Sequence, residues 1–212
     1  MVQQTQAWLK PDAPAAEGFS RIAVDVTFLR MATQPDQPGP SLPLSYDIIR
    51  LPAPTVGFYR YLYGTVGHAY CWWLRRMAED SDIADLLADP LVSIHVLYHQ
   101  GEPGGFFELD GRHAGEVNIG YFGLMPHLVG KGVGLAFLRA AVDTAWDQVK
   151  AQNAASAGGR ANAGVRVNTC TADHPRAIGS YMRVGFRPIR TVREVWNIPD
   201  HLGMPIPLHL RA

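Results

Sequence analysis

The stretch that decides the fold reads Leu124-Met125-Pro126-His127-Leu128-Val129-Gly130-Lys131-Gly132-Val133-Gly134. Residues 116–124 before it are predicted to form a β-strand that ends at Leu124. From Gly134 to Val149, apolar side chains recur at helical spacing. A glycine-rich turn therefore joins a strand directly to a long helix.

Such a turn is a candidate phosphate-binding site. Glycine lets consecutive backbone N–H groups point the same way and lets a ligand approach the main chain closely. The helix start adds unpaired N–H groups and a partial positive charge, and together these favour a pyrophosphate. Lys131 would add charge at the rim. The same glycines would also suit a tight turn without a ligand, and the turn alone does not decide between the two.

The glycine spacing differs from two other phosphate-binding loops. In the P-loop a lysine and then a hydroxyl residue follow the second glycine, whereas Lys131 precedes Gly132 and no hydroxyl follows. The dinucleotide-binding fingerprint is Gly-x-Gly-x-x-Gly, whereas the spacing here is Gly-x-Gly-x-Gly. Neither a nucleoside triphosphatase nor a nicotinamide enzyme is therefore predicted.

The other elements are predicted from hydrophobic periodicity and from turn residues. Strands are expected over 22–31, 46–51, 91–98, 105–109, 116–124 and 165–171, and one or two more over 186–196. Helices are expected as two short pieces over 55–76, from Ser81 as N-cap to about Asp89, over 134–149 and over 175–184. This order predicts a mixed α/β domain. Strand 46–51 could pair with strand 22–31 as a hairpin, and residues 116–171 should form a right-handed parallel crossover.

Length and composition predict one globular domain. The chain has 212 residues, of which 47% are hydrophobic and 18% charged. We expect a flexible arm over 1–20, one domain over 21–200 and an irregular tail over 201–212. Nineteen basic and 19 acidic residues balance, so neither nucleic acid nor a membrane is expected as a partner. Two cysteines without metal-ligand spacing, and the lack of a signal peptide or long apolar run, predict a soluble cytoplasmic protein without a metal.

The glycine-rich stretch resembles the acetyl-CoA-binding motif of the GNAT superfamily of N-acetyltransferases. That motif has an apolar residue and a proline, then Arg or Gln, Gly, any residue, Gly, an apolar residue and Gly or Ala. The corresponding residues here are Leu124, Pro126 and the run 129–134, with Val129 in place of the Arg or Gln. Since the expected donors are backbone N–H groups, this departure leaves the phosphate argument in place.

A second GNAT motif follows at the family's order and distance. Ala177, Tyr181 and the pair Gly185–Phe186 match it, while His174 stands where Asn is usual. Over residues 46–196 the resemblance implies the GNAT-like acyl-CoA N-acyltransferase fold, a central splayed mixed sheet flanked by helices. The pantetheine arm of acetyl-CoA would lie between strands 116–124 and 165–171. The implied contacts with this co-substrate are Leu124, Met125, Val129, Gly130, Lys131, Gly132, Val133, Gly134, His174, Ala177 and Tyr181.

Acetyl transfer to an amine needs a base for the amine, a donor for the thioester oxygen and an acid for the leaving thiolate. The resemblance implies Tyr181 as the acid and a backbone N–H near Leu124–Met125 as the oxyanion donor. The resemblance also implies a Glu on the central strands as the base, Glu116 in preference to Glu108, and His113 is less favoured because it is expected to lie in the turn. A one-residue change of register would turn either side chain to the other face of the sheet, so the choice stays open.

The aromatic segment before residue 76 would cover the acceptor site in this family. Tyr59, Tyr63 and Trp72 are the expected acceptor-binding residues, although such aromatic residues also suit a buried core. Asp173-His174-Pro175 lacks a nucleophile elbow, so no Ser/His/Asp triad is predicted.

The sequence therefore predicts an acyltransferase. It would transfer the acetyl group of acetyl-CoA to a primary amine, on a small molecule or a peptide, by direct attack in a ternary complex. Two alternatives stay open: an acyl-CoA-binding protein of the same fold with little or no turnover, and a transferase for a longer acyl group. Residues 22–51 could cover the sheet edge or form a homodimer contact.

Overall fold

A computed structural model describes residues 18–113, 115–155 and 163–212. Its strands are β1 (Phe19–Met31), β2 (Tyr46–Leu51), β3 (Val92–His99), β4 (Glu102–Asp110), β5 (Glu116–Leu124), β6 (Gly164–Cys170) and β7 (Arg187–Pro199). Within these residues they form one seven-stranded sheet in the order β2-β3-β4-β5-β6-β1-β7. The predicted mixed α/β architecture is confirmed. Residues 1–17 of the predicted arm lie outside the described residues.

The helices are α1 (Val56–Gly67), α2 (Leu74–Met77), α3 (Asp80–Ala88), α4 (Gly134–Ala154) and α5 (Ala177–Arg183). The predicted division of residues 55–76 into two short helices is confirmed. The N-cap of α3 is Glu79 and not Ser81. The helical hydrogen bonds begin there, with the Ile83 N–H donating to the Glu79 carbonyl, and Asp80 and Asp82 place favourable negative charge in the first turn.

Strand β1 lies in the sheet interior, and the predicted hairpin between β1 and β2 is wrong. β1 pairs antiparallel with β6 on one side and β7 on the other, whereas β2 pairs antiparallel with β3. The burial of the two strands explains this arrangement. β1 buries alternate residues along its length, including Ile22, Val24 and Val26, and β2 is short and largely exposed. A short, exposed strand suits a sheet edge and a long strand with a buried face suits its interior.

The two central strands, β5 and β6, are parallel, as expected for the unit that α4 connects. Their register runs from Glu116 opposite Gly164 to Ile119 opposite Val167. Beyond those residues both strands continue without further pairing, so they diverge. The register between β4 and β5 also skips Gly120, which forms a bulge at the start of the divergence. The sheet is therefore splayed at its middle, towards the C-terminal ends of β5 and β6.

Each face of the sheet carries its own helical layer. Phe107 belongs to the cluster formed with α4 and α5, whereas its neighbour Phe106 belongs to the cluster formed with α1 and α3. Because successive strand residues point to opposite faces, these two clusters lie on opposite sides of the sheet. α4 contributes its apolar stripe to the first, including Phe137 and Trp146.

Residues 200–212 pack against β1. They form two 3-10 turns, Asp200–Leu202 and Leu208–Leu210, and Leu210 is buried in a cluster with Ile22 and Trp73. No helix in residues 18–113, 115–155 and 163–212 has the length and apolar character needed to cross a bilayer. The domain boundaries proposed from the sequence stay predictions.

His95 makes the stability of this sheet depend on pH. It is buried on β3, stacks on Phe107 at 4.6 Å between ring centroids, and lies 3.0 Å from the Ser93 hydroxyl. Burial, with Arg50 as a second cause, lowers the pKa of His95 from 6.5 to about 4. The folded state therefore keeps this imidazole neutral while the unfolded chain takes up a proton below pH 6.5. The stabilising contribution is complete above pH 6.5 and is lost as the pH falls towards 4.

We expect His95→Gln to remove this pH dependence. Because of His95, the free energy of unfolding of the wild type should be about 2 kcal/mol lower at pH 5 than at pH 7.5. The variant should lack that loss because glutamine does not titrate. Urea denaturation at both pH values measures the difference, with the exposed His201→Gln as control. Equal pH dependence in wild type and His95→Gln would contradict the assignment.

Candidate active site

A cavity of about 430 Å³ opens where β5 and β6 diverge. Residues from both diverging strands border it, including Gly120 to Leu124 on β5 and Asn168 and Cys170 on β6. The glycine-rich turn and α5 also contribute to its wall, as do the aromatic residues between α1 and α2. The cavity therefore joins the predicted phosphate-binding turn to the predicted acceptor region.

The glycine-rich turn has the backbone conformation of an anion-binding site. Gly130 and Gly132 have φ angles of +82° and +85°, where other residues are strained. A Cβ built on either glycine would meet nothing within 4 Å, so conformation and not packing requires glycine there. α4 begins at Gly134 without a side-chain cap, which leaves the N–H groups of its first turn without helical partners. Within the turn the Val129 and Lys131 N–H groups already donate to the Pro126 and Leu128 carbonyls, so the left-handed glycines and the helix start are what offers donors to an anion.

Most of the predicted co-substrate contacts come together along this wall. Leu124, Val129, Gly130, Gly132, Gly134, His174, Ala177 and Tyr181 border the cavity. Lys131 is exposed and Val133 is buried, and neither side chain borders it. Met125 is buried among the α1 residues, and its N–H donates to the Gly104 carbonyl at 2.9 Å. That hydrogen bond occupies the N–H of Met125. Of the expected pair of oxyanion donors, only Leu124 borders the cavity.

Tyr181 stands on α5 with its ring against Phe122 and Phe186, at centroid distances of 6.5 and 5.9 Å. The side chain is buried and borders the cavity. Burial, followed by the negative charge of Asp173, raises the pKa of Tyr181 far above its usual value of 10. The phenol therefore keeps its proton at neutral pH and acts as a hydrogen-bond donor.

His174 has a hydrogen-bond donor at the motif position that Asn usually occupies. Its Nδ1 accepts a hydrogen bond from the Arg176 backbone N–H at 3.1 Å, which in the neutral ring places the proton on Nε2. The ring lies edge-on to Tyr70, with centroids 6.3 Å apart.

Asp173 is the site residue that the sequence analysis missed. Its Oδ2 accepts from the Thr169 hydroxyl at 2.8 Å and the Cys170 N–H at 2.9 Å, and its Oδ1 accepts from the Trp72 indole N–H at 3.2 Å. Among the described residues, no other carboxylate borders the cavity. The sequence signal was its position just after a central strand, where α/β sheets bind ligands.

Glu108 lies beneath the cavity in a buried polar network. It is 1% exposed, accepts from the Tyr59 hydroxyl at 2.6 Å and forms an ion pair with Arg75 at 3.3 Å. Gly120 separates it from the cavity, and a Cβ built on Gly120 would lie 2.9 Å from the Glu108 Oε1 atom. The absence of a side chain at the bulge therefore lets this carboxylate pack directly behind the cavity wall.

Glu116, the preferred base in the sequence analysis, lies outside the cavity. It sits at the closed end of the β5–β6 pair, bound to Arg30 at 2.7 Å and Arg166 at 2.9 Å. Partial burial acts to raise the pKa of Glu116, but hydrogen bonds from Arg30 and Arg166 outweigh it and lower the pKa. The structure gives the catalytic prediction for Glu116 no support, because its partners hold it away from the diverging ends of the strands.

Two of the three predicted acceptor residues, Tyr63 and Trp72, border the cavity. Trp72 follows Cys71, whose left-handed backbone (φ +55°) turns the chain before α2. Tyr59 is fully buried, packs edge-on against Phe106 and does not border the cavity. The structure therefore gives Tyr59 a contact with Glu108 and gives its predicted contact with substrate no support.

Comparisons with known proteins identify the fold. No protein-family model and no curated protein sequence matches the chain. Among solved structures, a GCN5-related N-acetyltransferase from Sphaerobacter thermophilus superposes with a TM-score of 0.53 at 20% identity. A tandem GNAT protein of clavulanic acid biosynthesis superposes with 0.55 at 14%. The ribosomal-protein-S18-alanine N-acetyltransferase of Escherichia coli superposes with 0.50 at 14%.

The aligned regions cover most of this chain but differ in their share of the other proteins. The alignment with the Sphaerobacter thermophilus protein includes 86% of this chain and 54% of that protein. The alignment with the tandem GNAT protein includes 89% of this chain and 61% of that protein. The alignment with the Escherichia coli protein includes 72% of this chain and 94% of that protein. The chain thus spans little more than half the length of the first two. At such low identities the likeness establishes the fold alone, which is that of the GNAT acetyltransferases, as the two motifs predicted.

Tyr59→Phe should destabilise the protein measurably. The variant leaves the buried Glu108 carboxylate without its 2.6 Å hydrogen bond. Loss of a hydrogen bond to a charged group should lower the free energy of unfolding by about 1.5–3 kcal/mol in urea denaturation. Tyr61→Phe, on the same helix but 51% exposed, is the matched control and should change it little. Equal effects of the two variants would contradict the buried bond.

Proposed function

We propose that this chain is an acetyl-CoA-dependent N-acetyltransferase that acts on a primary amine by direct attack in a ternary complex. The observation that carries the proposal is the continuity of the cavity. It runs from the left-handed glycines before α4, through the cleft between β5 and β6, to the Tyr181 side chain. The acetyltransferase neighbours support an acyl-transfer function in general.

The co-substrate would be held mainly by the main chain. The backbone N–H groups of the glycine-rich turn and of the first turn of α4 would bind the pyrophosphate. The diverging edges of β5 and β6 have unpaired peptide groups, which match the amides of a pantetheine arm. Arg176 and Arg183 border the cavity and add positive charge for an anionic ligand.

Tyr181 would act on the leaving thiolate. As the amine nitrogen forms its bond to the acetyl carbon, the C–S bond breaks, and the phenol donates a hydrogen bond to the sulfur as its negative charge develops. An unpaired N–H on the cavity side of β5 would stabilise the thioester oxygen, since this strand edge lost its β6 partners at the divergence.

Glu108 is the carboxylate better placed to receive the proton of the amine. Its carboxylate lies directly behind Gly120, which borders the cavity, so the proton would reach it past this glycine. Burial and two fixed partners, Tyr59 and Arg75, restrict its direct contact with substrate. These restrictions are also what favours the alternative function, an acyl-CoA-binding protein of this fold with little turnover.

Calorimetric titration with acetyl-CoA tests the binding half of the proposal. The wild type should bind with a micromolar dissociation constant, or about −8 kcal/mol. Gly132→Asp places a carboxylate where the phosphates would lie and should weaken binding about 100-fold or more. Gly101→Asp is the matched control, because Gly101 also has a φ of +85° with nothing within 4 Å of a built Cβ. If the wild type does not bind acetyl-CoA, or if both variants lose the same amount of affinity, the proposed phosphate site is ruled out.

Tyr181→Phe tests the chemical half. Loss of the hydroxyl should lower kcat for acetylation of an accepted amine about 100-fold, with little change in acetyl-CoA affinity. A thiol-release assay across a panel of primary amines measures the rate, and Tyr46→Phe, which stacks on His99 in β3 away from the cavity, is the control. Unchanged kcat in Tyr181→Phe would remove the acid role. Binding of acetyl-CoA without turnover of any amine would favour the non-catalytic alternative.

A further inference from the structure

We propose that the aromatic end of the cavity recognises a primary ammonium group on an apolar, planar body, with Asp173 as its charge partner. The ligand class is thus a singly charged amine with no carboxylate beside the nitrogen. This inference rests on the proposed function, because it specifies the acceptor for the same cavity.

The charges around the cavity are distributed unevenly. Within the described part of the chain, Asp173 is the only acidic side chain on its wall, while Arg176 and Arg183, at the two ends of α5, are the permanent cations. Asp173 precedes α5 and turns its Oδ1 atom towards Trp72. The negative charge of the cavity therefore lies on the side of the aromatic segment.

The hydrogen bonds of Asp173 leave it able to accept one more donor. Oδ2 is occupied by the Thr169 hydroxyl and the Cys170 N–H, and these two bonds fix the orientation of the carboxylate. Oδ1 accepts only the 3.2 Å bond from the Trp72 indole among the hydrogen bonds described. A carboxylate offers about four acceptor positions, so Oδ1 retains capacity for an ammonium. A charged donor there would gain more than a neutral one.

Aromatic rings form the wall around this carboxylate. Tyr63, Tyr70, Trp72, Trp73 and Trp196 all border the cavity. Trp72 packs against Tyr63 with centroids 5.4 Å apart and against Tyr121 at 5.0 Å, so its plane is fixed. Such rings exclude water, pack against a flat apolar body and attract a cation through their π faces.

The charge of Asp173 also reaches neighbouring groups on the cavity wall. Burial first, and the charge of Asp173 second, raise the pKa of Tyr70 and of the Cys71 thiol. Both side chains border the cavity. Burial, the larger cause, disfavours a charge of either sign, whereas the contribution of Asp173 opposes ionisation of the phenol and the thiol and favours a bound cation.

This arrangement discriminates between amines. An α-amino acid brings a carboxylate next to its ammonium, and Asp173 would repel that carboxylate at short range. A neutral alcohol with the same body fills the aromatic wall but forms no ion pair. Three ligands with the same phenylethyl skeleton therefore separate these cases. 2-Phenylethylamine is the cation, 2-phenylethanol is the neutral molecule and phenylalanine is the zwitterion.

Calorimetric titration of each ligand into protein saturated with CoA measures binding without turnover. We expect 2-phenylethylamine to bind about tenfold or more tightly than 2-phenylethanol or phenylalanine. Asp173→Asn keeps an oxygen acceptor and the shape but removes the charge, so the preference for the amine over the alcohol should disappear. Asp143→Asn, paired with Arg139 on α4 outside the cavity, should keep the preference.

Failure of this inference is distinguishable from failure of the proposed function. If acetyl-CoA binds but the wild type shows no preference for the amine, or binds none of the three ligands, the Asp173 proposal is overturned and the co-substrate site stands. A preference that survives in folded Asp173→Asn overturns it as well. If acetyl-CoA itself does not bind, the proposed function falls and this inference falls with it. The ligand comparison in the wild type is decisive even if Asp173→Asn does not fold.

Discussion

The parallel hydrogen bonding between β5 and β6 runs from the Glu116–Gly164 pair to the Ile119–Val167 pair and then stops. Glu116 holds the closed end of this pair through its two arginine partners, one on β1 and one on β6. The cleft lies at the open end of the pair, and the wall residues of the candidate site border this cleft. The cavity therefore depends on where one pairing ladder ends, and Glu116 stabilises the part that stays paired.

A sheet can open in this way because each diverging strand keeps its outer neighbour. β5 stays paired with β4 as far as Leu124, and β6 stays paired with β1 as far as Cys170. Only the inner edges lose their partners, and peptide groups on those edges need donors and acceptors from water or from a ligand. An extended ligand that carries amides meets that need, which links the break in the ladder to the class of co-substrate proposed.

The aromatic residues before α2 divide into two groups with different tasks. Tyr59 is part of the core and donates to the buried Glu108, whereas Tyr63 and Trp72 form the cavity wall. Trp72 also donates to Asp173, so the core group and the wall group each bind one carboxylate. Glu108 is enclosed and paired with Arg75, and Asp173 retains an accessible acceptor position. This difference suits the two proposed roles, proton acceptance at Glu108 and binding of a cation at Asp173.

The sequence by itself determined the order and bounds of most elements, the GNAT-like fold and the glycine turn. Periodicity and the need for left-handed backbone at Gly130 and Gly132 act over a few residues, so the local sequence carries them. Only the tertiary structure decided that β1 lies between β6 and β7, that Glu108 and not Glu116 approaches the cavity, and that Asp173 borders it. Strand partners are chosen across the whole chain, and one bulge residue, Gly120, shifts the register that decides which side chain faces which surface.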